Sequence, residues 1–353
     1  MDKIYDTTNK DLPPKDRVIT QALSRFRTVM NFEKQNRLDA VEDLRMLVGQ
    51  DHWPAAVVRD READGRPVLV VNKLPGFADR VINEGRINQV GVKVIPRGGG
   101  ASKEVALVLN GMIKAIEVES DADVAYQTAF EGAVHCGFGY FRINTSYIDD
   151  TSFDQEIKIE RIKNNFAVAL DPARVKHDGS DSRWGFVTEM VSDEEYKARW
   201  PEKGPPSSLQ DDGANSETSL WCEGASYRVG EYWVKVPDKK RIYLLSDKRT
   251  VDGDEWDEAA VILKDDEQLV HVAPDPATGQ PTQVPGPAPE GSGFPEQILN
   301  EVPRVVRERV VDSHKVLQYI IDGEKILSGP HEWSGKYIPI IPVWGKEITV
   351  DGE

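Results

Sequence analysis

The chain has 353 residues, 39% of them apolar, with 44 Lys and Arg against 60 Asp and Glu for a formal net charge of −16. That length and apolar content suit two or three domains with ordinary cores, and the acidic balance argues against a general nucleic-acid binder that relies on phosphate neutralisation. Cys136 and Cys222 are the only cysteines and stand far apart, which excludes a disulfide framework or a clustered zinc site; with no apolar leader and no run of about 18 apolar residues, neither a secretory signal nor a membrane span is expected.

After a polar leader ending at Pro13-Pro14, residues 15 to 48 read as helix. Val18, Ile19, Ala22, Phe26, Val29 and Met30 form one apolar stripe, and Leu38, Val41, Leu44, Leu47 and Val48 form a second after Gln35-Asn36. Gly49 fits a helix stop. A charged run, Arg59 to Glu62, and a short apolar segment, Val68 to Val71, precede an amphipathic helix carrying Phe77, Val81, Ile82 and Ile87. Val92 to Pro96 reads as a strand ending in the loop Gly98-Gly99-Gly100. Ser102 then caps a long helix with Val105, Val108, Leu109, Met112, Ile113 and Ile116 at helical spacing. Ser120-Asp121 punctuates it, and a second helix with Val124, Ala125, Thr128, Ala129 and Ala133 has small residues that permit close packing. These helices are expected to form a core, so that Ile113→Asp would bury an unpaired charge.

Gly137 and Gly139 end the helical stretch. Phe141 to Asn144 and Ile157 to Glu160 alternate with period two around Asp149-Asp150-Thr151-Ser152, a hairpin pattern. Val168 to Leu170 and Phe186 to Met190 are short strands, and Ser192-Asp193-Glu194-Glu195 is a helix start. Residues 201 to 219 read as a loop or boundary. Arg228 to Val236 and Arg241 to Leu245 read as two strands joined by Pro237-Asp238-Lys239-Lys240, with an acidic helical patch around Asp254 to Leu263. Pro274 to Pro295 is Pro/Gly-rich and reads as a mobile or extended insertion. Strands resume at Val305-Val306, Val310-Val311 and Val316 to Ile321, and Asp322-Gly323 is a tight-turn signal before Lys325-Ile326-Leu327. Pro339 and Pro342, three apart in the apolar run Tyr337 to Lys346, forbid a helix interior and a central strand, which leaves an edge or an extended crossing segment.

The residue types that carry chemistry are present without the spacing that chemistry needs. Gly137-Phe138-Gly139-Tyr140 follows a helix and opens a strand, the reverse of a phosphate loop. His177 to Ser182 supplies hard oxygen ligands but not the spacing or closing Glu of a calcium loop, and reads as a turn. His135 and Cys136, adjacent on a helix, point apart. His52, His271, His314 and His331 are scattered. Arg304, Arg307 and Arg309 alternate with Val306 and Val310 and present a small basic face, read as a solvated sheet face ahead of a phosphate site. Trp184, Trp200, Trp221, Trp233, Trp333 and Trp344 anchor either cores or interfaces. No catalytic, cofactor-binding or metal-ligating residue is assigned.

Several segments, in consistent order, resemble the N-terminal half of portal proteins from short-tailed double-stranded DNA phages of the Salmonella-phage type. They are Gly49-Gln50-Asp51-His52-Trp53-Pro54, where the family usually has Gly, a variable residue, Gln and Trp; Gly65 to Leu74; Ile87-Asn88-Gln89; and Val92 to Pro96. Ala129-Phe130-Glu131, Gly137 to Arg142, Asp171-Pro172, Asp178 to Asp181 and Glu332 to Val343 continue the series. The Asp51-His52 pair departs from the pattern, and Pro201 to Pro295 matches poorly. The resemblance implies an α+β fold, a portal wing-like domain with N-terminal helices, an α/β core and a β-rich subregion. Residues 1–75 would be a helical lead-in, 76–200 the wing core, 201–300 a variable β-rich region with its insertion at 274–295, and 301–353 hairpins and a crossing segment toward a stem that comes afterwards in sequence.

The same resemblance implies a non-enzymatic role without cofactors or metals. Twelve copies would form a ring at a capsid vertex of the virion, assembled in the host cytoplasm, with capsid and scaffolding proteins, terminase and tail or adaptor proteins as partners. Double-stranded DNA would pass through the channel without sequence-specific binding, and no membrane would be involved. The alternatives are another virion structural protein, such as a head-tail adaptor, and an acidic hydrolase holding a metal at Asp178 and Asp181.

Overall fold

The computed structural model describes residues 15–88, 91–97, 102–149, 151–206, 220–223, 226–246, 250–253, 269–274, 281–285, 296–298 and 305–346. The chain is α+β and divides into two units, residues 13–236 with 315–353 and residues 1–12 with 237–314.

In the first of these units, α1 (Lys15–Phe32) and α2 (Lys34–Leu47) occupy the expected helical stretch, broken at Glu33 rather than at Gln35-Asn36. The stripe of α1 points inward: Val18, Ala22, Phe26 and Val29 are buried, and Phe26 packs against Phe186 and Trp221 with ring centroids 5.4 and 5.1 Å away. A buried phenylalanine of this kind contributes about 1.5–3 kcal/mol. The stripe of α2 does not behave so, for Leu38 and Val48 are exposed and only Ala40 is buried. Its anchor is Arg37, which pairs with Glu33 at 2.9 Å and donates to the carbonyls of Phe166 (2.8 Å) and Val168 (2.5 Å). Gly49 adopts a left-handed φ of +88° and returns its N–H to Met46, so the helix ends where the glycine permits.

The charged run Arg59 to Glu62 lies in α3 (Ala55–Ala63), which the sequence pattern did not signal. Next come α4 (Leu74–Ile87), α5 (Lys103–Glu119) and α6 (Ala122–Cys136). Ser102 caps α5 as expected, its hydroxyl accepting from the Glu104 N–H at 3.1 Å. Of the two helices expected to form a core, α6 does so and α5 is corrected, while the amphipathic α4 also leaves its apolar face open. Phe77, Val81 and Ile87 on α4 and Val105, Leu107, Val108, Leu109 and Met112 on α5 are exposed, Ile113 is half-buried, and only Ile82 and Ala106 lie inside. Helical spacing identifies an apolar face but not what covers it.

Val92 to Pro96 is also corrected, for it pairs with no strand among the described residues. The Asn110 carboxamide accepts from the Val94 N–H at 2.8 Å and donates to its carbonyl at 2.9 Å, serving the two groups that a neighbouring strand would have served.

The small residues of α6, from Ala122 through Ala125, Ala129, Gly132 and Ala133, are buried and admit β1 (Phe138–Tyr147) at close range. A Cβ on Gly139 would lie 1.8 Å from the Ala129 carbonyl oxygen, so that position must be glycine. β1 pairs antiparallel with β2 (Gln155–Arg161) in the expected hairpin, Arg142 opposite Glu160. β3 (Val168–Leu170), β4 (Trp184–Ser192) and α7 (Asp193–Arg199) follow, with Ser192 capping α7.

After the two-residue β5 (Cys222–Glu223), a single 20-residue strand, β6 (Ser226–Leu245), takes the place of two expected strands and a turn. Pro237-Asp238-Lys239-Lys240 lacks the glycine or asparagine that a tight turn requires, and the proline φ suits extended backbone. β6 pairs with β4 and with β5.

In the unit of residues 237–314, β7 (Thr250–Asp252) pairs with the end of β6. β8 (Leu269–Pro274), β9 (Pro281–Pro285) and β10 (Glu296–Ile298) form a separate sheet in the order β10-β8-β9. Part of the Pro/Gly-rich stretch is therefore a paired strand, the extended of the two expected forms. It is an edge strand with a proline at each end, where a missing donor costs little.

A single strand, β11 (Val305–Ile321), replaces the three expected short ones, and the Asp322-Gly323 turn joins it to β12 (Ile326–Trp333). The turn has the expected chemistry, with Gly323 at φ +90° and the Asp322 carboxylate accepting from the N–H groups of Glu324 and Lys325. The second half of β11 and all of β12 belong to the unit of residues 13–236 and 315–353, where the sheet order is β12-β11-β6-β4-β3. Finally β13 (Ile340–Trp344) pairs antiparallel with β1 at the edge of the sheet β13-β1-β2. The expected loop Gly98 to Gly100, most of the boundary 201–219, the patch Asp254 to Leu263 and Arg304 lie outside the described residues.

Candidate functional site

The segment from Trp333 to Gly345 is built as an edge, as its prolines require. Pro342 sits opposite Tyr140, and the Pro339 carbonyl accepts from the Ile143 N–H at 3.0 Å. Ile338 and Ile340 are buried in one cluster with Tyr140, Ile162, Val168, Leu170, Trp233 and Val316. Trp344 clamps the far end, its indole N–H donating to the His177 carbonyl at 3.0 Å beneath the Arg174 guanidinium, 4.4 Å from the ring centroid.

The loop that Trp344 holds is organised by three carboxylates. Asp171 is buried and receives the Arg183 guanidinium at 2.7 Å and the Ala173 N–H at 3.0 Å. Burial opposes its ionisation, but these donors outweigh burial and hold its carboxyl below the usual carboxylate value. Asp178 accepts from the Ser180 N–H, and Asp181 accepts from those of Val175 and Lys176, which likewise lowers both. The His177 to Ser182 cluster is thus a turn whose carboxylates are engaged by its own backbone. Among the described residues no three His, Cys, Asp or Glu side chains come together as a metal site. Beside the loop lies a cavity of about 490 Å³ lined by Trp333, Tyr337 and Lys176. Lys235 donates to the Ser180 carbonyl at 2.7 Å and stands 5.4 Å from the Tyr337 ring centroid; burial pushes its pKa down.

The other sequence candidates resolve into packing. Gly137 is the left-handed end of α6, and Gly139 is the close approach of β1 to α6. Cys136 is buried, its thiol donating to the Gly132 carbonyl at 3.3 Å, and burial pushes its pKa up, away from nucleophilic reactivity. Trp184, Trp221 and Trp233 are core residues, while Trp200, Trp333 and Trp344 are half-buried beside it. Arg307 and Arg309 are exposed on β11.

Two arrangements depend on partners far apart in the sequence. Arg142 pairs with Glu160 at 2.7 Å and with Glu231 at 2.9 Å, and Gln318 also reaches Glu231, which ties β1, β2, β6 and β11 together. The Arg142 to Glu160 half follows from the hairpin register; Glu231 comes from a strand 89 residues away and does not. A second cavity, of about 670 Å³, lies among α4, α5, α6 and β1, lined by the aromatic rings of Phe130, Tyr126 and Phe141 and by Glu117 and Asp123.

Compared with known proteins, residues 23–353 match the family described as Phage P22-like portal protein. A curated relative named Portal protein, from Acyrthosiphon pisum secondary endosymbiont phage 1, is 26% identical over 326 residues, which is 90% of this chain and 41% of that protein. The chain therefore spans about two-fifths of the length of that relative.

Proposed function

The chain belongs to the phage P22-like portal protein family, and on that premise we propose that it is a subunit of a twelve-copy ring at one capsid vertex, through which DNA is packaged and later ejected. The observation that carries this reading is the reach of the family match, residues 23–353, across both units of the fold. A motif borrowed by an unrelated protein would cover one segment, not the whole architecture.

The role is mechanical. A closed ring needs two different, complementary faces on each copy and a constant rotation between neighbours. The −16 carried by these 353 residues would, wherever an acidic wall faces DNA, repel the phosphates and let the duplex move without sequence-specific holding. Terminase supplies the packaging motor as a separate partner, and capsid, scaffolding and tail proteins dock around the ring. On this reading Trp333 to Gly345 ends the wing: β13 is pinned to β1 at an edge, and its prolines keep the chain extended where it turns toward the stem.

Immunogold electron microscopy of phage particles carrying this gene tests the placement. Label at a single vertex, where head meets tail, is the expected result. Label over all vertices, or along a tail away from the head, would overturn it and favour another virion structural role.

A further inference from the structure

The 670 Å³ cavity among α4, α5, α6 and β1 has a definite chemistry. Tyr126 and Phe141 meet edge to face with centroids 5.1 Å apart, and Phe130 packs beneath Gly85, where no side chain would fit. The Tyr126 hydroxyl donates to Glu117 at 3.4 Å, and Asp123 adds a second carboxylate. Arg86 also lines the cavity but is paired with Glu131 at 2.6 Å. Aromatic rings beside two carboxylates suit a guanidinium on an apolar stem, which gains cation–π attraction and an ion pair together.

A complementary face exists on the same chain. From Val305 to Val310 both faces of β11 are exposed, and Arg307 and Arg309, two apart on a strand, project to the same side as Val305. In a chain carrying −16 this is a local reversal of sign, and it is complementary to an acidic patch on another copy.

We propose that the Arg307 and Arg309 face of one copy docks into the Glu117, Asp123, Tyr126, Phe130 and Phe141 cavity of the next. The occupant is a second copy of this chain, and the contact is heterologous, as ring closure requires. The proposal rests on the ring reading and locates its interface.

Sedimentation at low salt tests it with the full chain, using Glu117→Lys with Asp123→Lys, Arg307→Glu with Arg309→Glu, and all four changes together. Each reversal alone should raise the concentration for half-assembly at least about tenfold, and the fourfold swap should restore it. The milder pair Glu117→Gln with Asp123→Gln should weaken assembly less, and melting curves of every variant should match the parent. Unaltered assembly in the reversals, or failure of the swap to restore it, would overturn the interface while leaving the ring intact. A parent that stays a single copy at all concentrations would overturn both. Intact assembly in the arginine reversal with lost retention of double-stranded DNA would assign that face to nucleic acid and overturn the proposal.

Discussion

At the scale of single residues, the loop that Trp344 holds is fixed by charge rather than by apolar packing. Asp171 is buried with the Arg183 guanidinium and two backbone N–H groups directed at it. Its folded pKa lies below the unfolded value of about 4, so its contribution is fully present above that pH and is lost as pH falls through the folded value. Asp178 and Asp181 act in the same direction. Thermal melting should therefore fall steeply on acidification below about pH 4. Asp171→Asn should lower stability at neutral pH by about 2 kcal/mol, because Arg183 loses its charged acceptor, and should flatten the acid limb. An acid limb unchanged in the variant would remove Asp171 from this role.

At the scale of elements, what the sequence made legible follows from local rules. The caps at Ser102 and Ser192, the hairpin of β1 and β2, the Asp322-Gly323 turn and the edge placement of β13 each depend on a few adjacent residues. What it hid depends on distant partners: the Asn110 amide in place of a strand, the continuity of β6 through Pro237, and the openness of α5. The candidate docking cavity was illegible for the same reason, since Gly85, Glu117, Tyr126 and Phe141 come from four separate elements. These differences reverse one expectation about mutation. Ile340→Asp places a charge in the closed cluster around Tyr140 and Trp233, and should cost about 4 kcal/mol or prevent folding. Ile113→Asp, on the half-buried side of an open helix, should fold with a near-parental melting temperature. Soluble yield and circular dichroism melting of the two variants decide the point; equal damage from both would mean that α5 is covered within the single chain.

At the scale of the whole molecule, the two units have different characters. Residues 13–236 and 315–353 hold the aromatic core and the Arg142 network, while residues 237–314 present a small proline-bounded sheet and the exposed part of β11. The open apolar helices and the local basic face fit the proposed assembly, because large exposed apolar patches mark interaction surfaces. Native mass spectrometry across a concentration series tests this most directly. A closed species of twelve copies is expected. A single chain at every concentration, or a closed species of another copy number such as six, would contradict it.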